Sequence, residues 1–327
     1  MSGPAVSIVV PFRAPDERLH ECLAGMARLR GDFELLLLPD GPLDEALLPP
    51  ELRARARILP TGPRNPAAKR NAALAAGRGR FFAFIDSDAS PETDWLERAV
   101  ELLEADPGLG ACGGPDLLPP SAGVLERGAW DVIHTVWGTR GLYRSGRGPG
   151  GVEDSRELPT CNLVVRREPV ERGLRFDETR RVGEDVDFCR GLRRLGLRIA
   201  WSPDVRVLHH CRPLFRSFLG RVFQLAADRA GYFAAAPRLN SPRYLAPPLF
   251  ALCVLLGGAA AALRPGLRPV YAAALALYAL AVVATGRGGP GRRLLFLAGT
   301  FLAHLVYGLG FLAGLLRRLG KSDPARS

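Results

Sequence analysis

Three long apolar stretches without Asp, Glu, Lys or Arg lie in the last part of this 327-residue chain. They cover residues 244–263, 269–286 and 294–316, and an arginine lies close to nearly every end. A helix that crosses a bilayer needs about 20 mostly apolar residues, with a range of about 17–25. Within lipid, such a stretch must also bond all its backbone groups internally. The sequence therefore predicts a membrane domain over 244–316 with about three apolar helices.

The distribution of charge argues against a nucleic-acid-binding protein. The chain carries a net charge of +11, but residues 241–327 hold ten basic residues and one acid. Residues 1–240 hold 34 basic residues and 32 acids, so this part is nearly neutral. Nucleic-acid binding usually requires a concentrated basic surface, which these numbers do not indicate. No nucleic-acid partner is predicted.

The six cysteines and the N-terminus give little sign of export. No two cysteines have the C-x-x-C spacing, so small buried thiols in a reducing cytoplasm are favoured over zinc sites or disulfides. The N-terminal "MSGPAVSIVVPF" lacks a charged region followed by a long apolar stretch, and no signal peptide is expected.

Apolar strands and amphipathic helices alternate in the N-terminal part. Continuous apolar strands of this kind indicate an α/β fold with a mostly parallel sheet that is covered on both faces. Pro66 near the start and Gly77 at the end mark one helix clearly. The stretches in order are a strand at 6–12, a helix at 16–29, strands at 33–41 and 55–62, a helix at 66–77 and a strand at 81–85.

The strand "FFAFI" ends in two carboxylates, Asp86 and Asp88. Residues i and i+2 of an extended chain point to the same side, so these side chains converge at the carboxyl end of the strand, where open α/β sheets bind ligands. Two carboxylates this close repel each other unless a cation lies between them. A hard divalent ion that completes its shell with substrate phosphates fits this place. A solvated turn with a helix N-cap is the alternative.

Other charged residues and two histidines lie at strand ends, or on helices next to them, where they could reach the same site. Asp40 closes an earlier strand, where its carboxylate can bond a base or a ribose. Lys69 and Arg70 precede the DSD strand and can offer cations to a diphosphate, although a solvated helix face has the same appearance. Glu184 and Asp185 start an amphipathic helix, where acids are also ordinary partners of the helix dipole. The paired histidines of "VLHHC" could complete a metal shell.

Six stretches together resemble the family 2 glycosyltransferases. The resemblance implies the A-type nucleotide-sugar-binding fold, a mostly parallel sheet with a Rossmann-like nucleotide-binding half. The resemblance covers about residues 5–212. The stretches, in order, are "SIVVPFR", "LLLLPDG", "KRNAALAAGRGRFFAFIDSD", "TCNLVVRRE", "GEDVDFCRGLRRLG" and "PDVRVLHH".

The resemblance implies a role for each matching residue. Asp185 would be the catalytic base, with Glu184 beside it. Asp86 and Asp88 would form the D-x-D that binds Mg²⁺ or Mn²⁺ through the diphosphate, and His209 would join the metal, with His210 as the alternative. The implied substrate-binding residues are Pro11, Arg13, Asp40, Lys69, Arg70, Asn71, Asp86, Asn162 and Arg166.

The expected reaction is a metal-dependent transfer of sugar from a nucleotide-sugar donor to a lipid-linked or cell-envelope glycan acceptor. A base opposite the departing diphosphate implies inversion at the anomeric carbon. The Q-x-x-R-W motif of processive synthases is missing after Gln224, which favours transfer of one or a few sugars. A polyprenyl-phosphate glycosyl synthase and an inactive nucleotide-sugar-binding membrane scaffold remain as alternatives.

The predicted organisation has four parts: a catalytic domain at 1–212, an interfacial amphipathic linker at 213–243, the membrane domain at 244–316 and a basic tail at 317–327. Residues 212–233 could instead pack under the catalytic domain. The segment 138–158 is expected to be either a mobile loop or a tolerated insertion.

The expected location is the inner (plasma) membrane, as a multi-pass protein with a cytoplasmic catalytic domain. Three full spans would then place the basic tail outside, against the positive-inside rule. Either the tail tolerates this, or one apolar segment is re-entrant or interfacial.

Overall fold

The computed structural model describes residues 4–135, 137–138, 151–180, 182–235 and 242–319. Most of the expected loop at 138–158 lies outside the described residues. So do residues 236–241 of the expected linker and residues 320–327 of the expected tail.

The chain forms two compact units. The first comprises Met1–Pro120 and Arg144–His210, and the second comprises Ser121–Tyr143 and Cys211–Ser327. Residues 121–143 thus group with the C-terminal helices, although they lie within the range 1–212 that the sequence assigns to the catalytic domain. The functional domain boundaries expected from the sequence stay a prediction.

All the described strands belong to the first unit. They are β1 (Val6–Pro11), β2 (Phe33–Leu38), β3 (Ala56–Ile58), β4 (Phe81–Phe84), β5 (Ala89–Pro91), β6 (Leu109–Gly113), β7 (Asp116–Leu117), β8 (Glu153–Asp154), β9 (Leu163–Arg166), β10 (Arg198–Trp201) and β11 (Val207–His209).

Eight of these strands form one sheet in the order β3-β2-β1-β4-β9-β6-β10-β8. Strands β3, β2, β1 and β4 are parallel neighbours, and so are β6 and β10. Strand β9 is antiparallel to both β4 and β6, and β8 is an antiparallel edge strand. The mostly parallel sheet with a Rossmann-like half is therefore confirmed.

The helices of the first unit cover both faces of this sheet. Successive residues of β1 alternate between two apolar cores, with Ile8 and Val10 in one and Val9 in the other. Side-chain N-caps mark the starts of two of these helices. Asp16 accepts the backbone N–H of Leu19, and Asn65 accepts that of Ala68. The helices are α1 (Glu17–Met26), α2 (Pro50–Arg53), α3 (Pro66–Ala76), α4 (Trp95–Ala105), α6 (Arg167–Glu171) and α7 (Glu184–Arg194), with α5 (Val124–Ile133) in the second unit.

A small second sheet lies beside the large one in the chain's first unit, in the order β5-β11-β7. Strand β11 pairs antiparallel with β5, which follows the DSD motif directly, and parallel with β7. This pairing sets His209 opposite Ala89. It thereby brings the late histidine pair to the acids after β4.

The second unit consists of helices in its described part. Three of them are long and apolar enough to span a bilayer, with mean hydropathies of 2.0, 1.8 and 1.8. Large apolar side chains on these helices, such as Leu256, Leu263 and Leu277, are exposed. Exposed apolar surface on this scale requires a lipid or protein partner. Besides α5, the helices are α8 (Arg216–Ala235), α9 (Ala246–Leu263), α10 (Arg268–Thr285) and α11 (Pro290–Leu319).

Helices α8 and α5 both pack against α11. Gly310 and Gly314 of α11 lie so close to the α8 backbone that an added Cβ would clash with Phe223 and Ala227. Residues 216–233 of the expected amphipathic segment thus form a helix on α11, and the placement of this helix at a membrane surface stays a prediction. On the α5 side, Arg292 makes a bidentate pair with buried Asp131, at 2.7 and 2.8 Å.

Candidate functional site

The carboxyl ends of three parallel strands form the floor of the site. Strand β1 ends at Pro11, and the backbone N–H of Asp40, just after β2, donates to the carbonyl of Arg13 at 3.0 Å. Asp86 follows β4, whose register with β1 brings Phe84 beside Val9. Ligands of open α/β sheets bind at such an edge. Pro11, Asp40 and Asp86 thus lie along one edge of the sheet, as the sequence predicts.

Asp86, Asp88 and His209 form a group that we call the outer triad. One ligand atom from each lies within 4.8 Å of the other two. Nε2 of His209 lies 3.2 Å from Oδ1 of Asp88. The side chain of His210 faces away and pairs with Glu21 at 2.8 Å. Of the two histidines that the sequence offered, His209 is therefore the one beside the acids.

A second set of groups lies behind His209, and we call Asp116, Cys161 and His209 the inner triad. Their ligand atoms also lie within 4.8 Å of one another. Oδ2 of Asp116 is 3.5 Å from Nδ1 of His209, so the two ring nitrogens of His209 face two different carboxylates. Both Asp116 and Cys161 are buried.

Sequence reasoning missed Asp116 and the nearby thiol of Cys161. The available signal was "GGPD", an acid just after a strand and two glycines. A Cβ on Gly113 or Gly114 would lie 2.2 Å from the carbonyl oxygen of Asn162 or Ser202, respectively. Only glycine allows this crossing of chains, and the crossing places Asp116 at His209.

The electrostatics of the outer triad favour charged groups. Burial alone would raise the pKa of Asp88, but the hydrogen bond and charge of His209, with help from Arg18, lower it below its usual value. Burial alone would lower the pKa of His209, yet Cys161 and Asp88 raise it well above its usual value. The ring thus lies between two carboxylates, with Nε2 at 3.2 Å from Asp88 and Nδ1 at 3.5 Å from Asp116.

Arg70 joins the outer triad to the acids of α7. Its Nη2 donates to Oδ1 of Asp86 and its Nη1 to Oε1 of Glu184, both at 2.9 Å. The guanidinium is only 4% exposed and lies 5.7 Å from the ring centre of Phe176. A rigid fork of donors suits such a bridge, because it holds two acids in one orientation.

Glu184 and Asp185 begin α7 after Gly183, whose φ of +81° lies in the left-handed region. Glycine adopts that conformation without strain, and it turns the chain so that both acids face the first helical turn. Burial raises the pKa of Asp185 to about 6, and the charge of Glu184 adds to the effect. A carboxyl group tuned in this way can accept a proton near neutral pH.

Lys69 lies buried beneath Asp40. Its ammonium donates to the carbonyls of Phe12 and Leu38, at 2.5 and 3.1 Å, and to Oδ1 of Asp40, at 2.5 Å. With 3% of the side chain exposed, it fixes the ends of β1 and β2 and orients Asp40. In this structure Lys69 therefore holds the carboxylate of Asp40 in place.

Asn71 holds the segment that leads to α7. Its Nδ2 donates to the carbonyl of Phe176 and to Oε1 of Glu178, both at 2.9 Å. Its Oδ1 accepts the N–H of Phe176 at 2.9 Å. These bonds fix the loop that carries Phe176 under Arg70.

Asn162 and Arg166 have their hydrogen bonds inside the fold. Asn162 is fully buried, accepts from Trp95 at 2.8 Å and donates to the carbonyls of Pro115 and Val205. Arg166 pairs with Phe81 at the amino end of β4 and donates to backbone carbonyls such as that of Leu109. The structure thus places Arg166 at the sheet edge opposite the outer triad, and a substrate contact for either residue stays a prediction.

Two family models match this sequence. "Glycosyl transferase family 2" matches residues 7–148, and "Glycosyl transferase family group 2" matches residues 81–285, which is more than half of the chain. Together they extend from the first strand into the apolar helices.

Curated relatives carry related names. The pre-mycofactocin glycosyltransferase of Mycobacterium tuberculosis is 28% identical over 228 residues, 67% of this chain and 46% of its own length. The succinoglycan biosynthesis protein ExoO of Rhizobium meliloti is 26% identical over 256 residues, 70% of each chain. The chain thus spans about half the length of the first of these relatives.

A solved structure shares the fold. It is the mannosyltransferase PcManGT from Pyrobaculum calidifontis, determined in complex with GDP-Man and Mn²⁺. The two chains are 21% identical with a TM-score of 0.54, over 98% of this chain and 88% of the other. The A-type fold expected from the sequence is thereby confirmed.

Proposed function

Because this chain belongs to the family 2 glycosyltransferases, we propose that it transfers a sugar from a nucleoside diphosphate donor to a lipid-linked or cell-envelope glycan acceptor, with inversion. The observation that carries this proposal is the outer triad at the carboxyl edge of the sheet, joined through Arg70 to the two acids of α7.

The outer triad fits Mg²⁺ or Mn²⁺. Two carboxylates and one imidazole offer oxygen and nitrogen ligands, and Mn²⁺ accepts both kinds. About a third of each carboxylate side chain is exposed, so further ligands from water or a diphosphate have access. When bound, the ion neutralises charge on the departing diphosphate.

Asp185 is the proposed catalytic base. Its raised pKa lets it take the proton of an acceptor hydroxyl near neutral pH. Glu184 keeps that pKa high and bonds Arg70, which also holds Asp86. The base and the metal ligands are thus fixed relative to one another, and attack from the side opposite the diphosphate inverts the anomeric carbon.

The nucleoside is proposed to lie over the ends of β1 and β2. There Asp40, oriented by Lys69, offers a carboxylate to the base or ribose, beside Pro11 and Arg13. The complex of the mannosyltransferase from Pyrobaculum calidifontis with GDP-Man supports a nucleotide-sugar donor of this class.

The membrane helices and the relatives support the choice of acceptor and location. Three apolar helices in the described part of the chain are long enough to span a bilayer. A succinoglycan biosynthesis protein is among the relatives, which supports an envelope glycan or its lipid-linked precursor. We propose a multi-pass inner-membrane protein with its catalytic unit in the cytoplasm.

The test is release of nucleoside diphosphate by detergent-purified protein from a panel of UDP-, GDP- and dTDP-sugars, with Mn²⁺, Mg²⁺ or EDTA. Acceptors are membrane lipid extract and polyprenyl phosphate. Metal-dependent release from one donor, lost in Asp88→Asn and Asp185→Asn, supports the proposal. Transfer to polyprenyl phosphate that survives Asp185→Asn identifies a polyprenyl-phosphate synthase instead. Donor binding without release in any condition identifies a scaffold.

A further inference from the structure

The inner triad combines three ligand types that suit a different kind of ion. Cys161 offers sulfur, His209 nitrogen and Asp116 oxygen, all within 4.8 Å. Thiophilic ions such as Zn²⁺ and Cd²⁺ favour sulfur and imidazole ligands, whereas Mg²⁺ favours oxygen. Three protein ligands with a fourth position left to water is a common zinc arrangement.

His209 belongs to both triads but cannot serve both in its neutral form. Its Nε2 faces Asp88 and its Nδ1 faces Asp116. A neutral imidazole has one nitrogen with a lone pair and one with a proton. An ion in the outer triad would take the Nε2 lone pair, and the proton would stay on Nδ1, which faces Asp116. An ion at Nδ1 requires the opposite tautomer, in which Nε2 keeps its proton towards Asp88.

We propose that Asp116, Cys161 and His209 bind a thiophilic divalent cation, and that this ion silences the outer triad by reversing the tautomer of His209. Binding deprotonates the Cys161 thiol and leaves Nδ1 unprotonated, and the released protons go to solvent. The site itself depends only on these three residues, while its effect on turnover rests on the proposed function.

The inner triad adjoins the more exposed outer triad through His209, which belongs to both. Asp116 and Cys161 are buried, but the outer carboxylates are about one-third exposed and His209 is 16% exposed. The imidazole therefore separates an open site from a closed one.

The first measurement is a Cd²⁺ titration of detergent-purified protein without nucleotide, followed by the ultraviolet thiolate-to-cadmium charge-transfer band. We expect a band that saturates at one equivalent, is lost in Cys161→Ser and persists in Cys253→Ser, which removes an exposed thiol. It also persists in Asp88→Asn, which leaves all three ligands of the inner triad in place. A band that survives Cys161→Ser overturns the site.

The second measurement follows Mn²⁺ binding by electron paramagnetic resonance. One equivalent of Cd²⁺ should weaken Mn²⁺ binding to the wild type by about tenfold or more and leave Mn²⁺ binding to Cys161→Ser unchanged. Simultaneous binding of both ions to the wild type at full affinity overturns the exchange. A protein that shows the cadmium band but binds neither Mn²⁺ nor any donor contradicts the proposed function and leaves the inner site standing.

A third measurement needs no variant, in case Cys161→Ser fails to fold. Zinc X-ray absorption on the wild type loaded with one equivalent should show one sulfur at about 2.3 Å with nitrogen and oxygen neighbours. A zinc shell without sulfur overturns the proposal.

Discussion

Arg70 on α3 donates from Nη1 to Oε1 of Glu184 on α7 at 2.9 Å, although 114 residues separate them in the chain. The second amino group of the same guanidinium holds Asp86. One buried cation thus fixes an acid of the outer triad and an acid of the α7 pair.

Arg70→Lys should lower both stability and activity. A lysine has one ammonium and cannot hold two acids in the geometry of the fork. One of the two acids is left without its donor, and breaking a buried ion pair costs about 3–5 kcal/mol, which should lower Tm by roughly 5–15 °C. Thermal unfolding followed by circular dichroism measures the change.

The matched control for Arg70 is Arg98→Lys. Arg98 also lies between two acids, Asp94 and Glu101, but its side chain is half exposed. We expect no measurable change in Tm there. Equal losses at both positions would show that the bridge has no special importance.

Activity should fall as the pH drops through about 6. The base must be ionised to accept a proton, and burial together with Glu184 raises the pKa of Asp185 to about 6. The value of kcat/KM should therefore be high above that pH and fall below it. A pH profile of kcat/KM, with the metal saturating, shows this acidic limb.

Glu184→Gln should move that limb to lower pH, because it removes a negative charge that raises the pKa of Asp185. Glu157→Gln removes a smaller contribution of the same sign and should move it less. A limb that moves to higher pH in either variant would contradict the assignment of the base.

Asp116→Asn should weaken Mn²⁺ binding although Asp116 is not a ligand of the outer triad. Its carboxylate faces Nδ1 of His209 and favours the tautomer that leaves Nε2 available. Loss of such a partner typically costs about 10–100-fold in metal affinity. Titration with Mn²⁺ measures it, with the exposed Asp204→Asn as control. Unchanged affinity in Asp116→Asn would remove its positioning role.

Lys69→Met should weaken nucleotide binding and stability together. The change leaves two backbone carbonyls and Asp40 without their buried donor. Without the hydrogen bond from Lys69, Asp40 is no longer held in place for the nucleoside. A hydrogen bond to a charged group is worth enough that affinity for a nucleoside diphosphate should fall about tenfold or more, which calorimetry measures. Asp40→Asn should weaken binding with a smaller change in Tm, since its side chain is 27% exposed. Unaltered binding in both variants would exclude the proposed nucleoside contact.

The ends of the main strands could be predicted because local signals mark them. Asp40 and Asp86 each follow an apolar run. In the structure these two runs are strands that end at Leu38 and Phe84. The helix expected at 66–77 forms over Pro66–Ala76, between a proline and a glycine. The apolar helices likewise contain the stretches read from composition, within a few residues.

The inner triad could not be predicted, because it depends on pairing between distant segments. Asp116 meets His209 only because β7 and β11 are neighbours, and no local pattern fixes that order. The antiparallel insertion of β9 between β4 and β6 was equally invisible. Asn162 was chosen from a motif, but its amide bonds Trp95 and two carbonyls within the core.

The pair between Asp131 on α5 and Arg292 on α11 spans 161 residues of chain. A ribosome that adds about 5–20 residues per second takes roughly 10–30 s to cover that distance. All the described strands lie at or before His209, so they are synthesised well before α11. We therefore expect the nucleotide-binding sheet to form early during synthesis, while α5 waits with its apolar face uncovered until the last helix arrives.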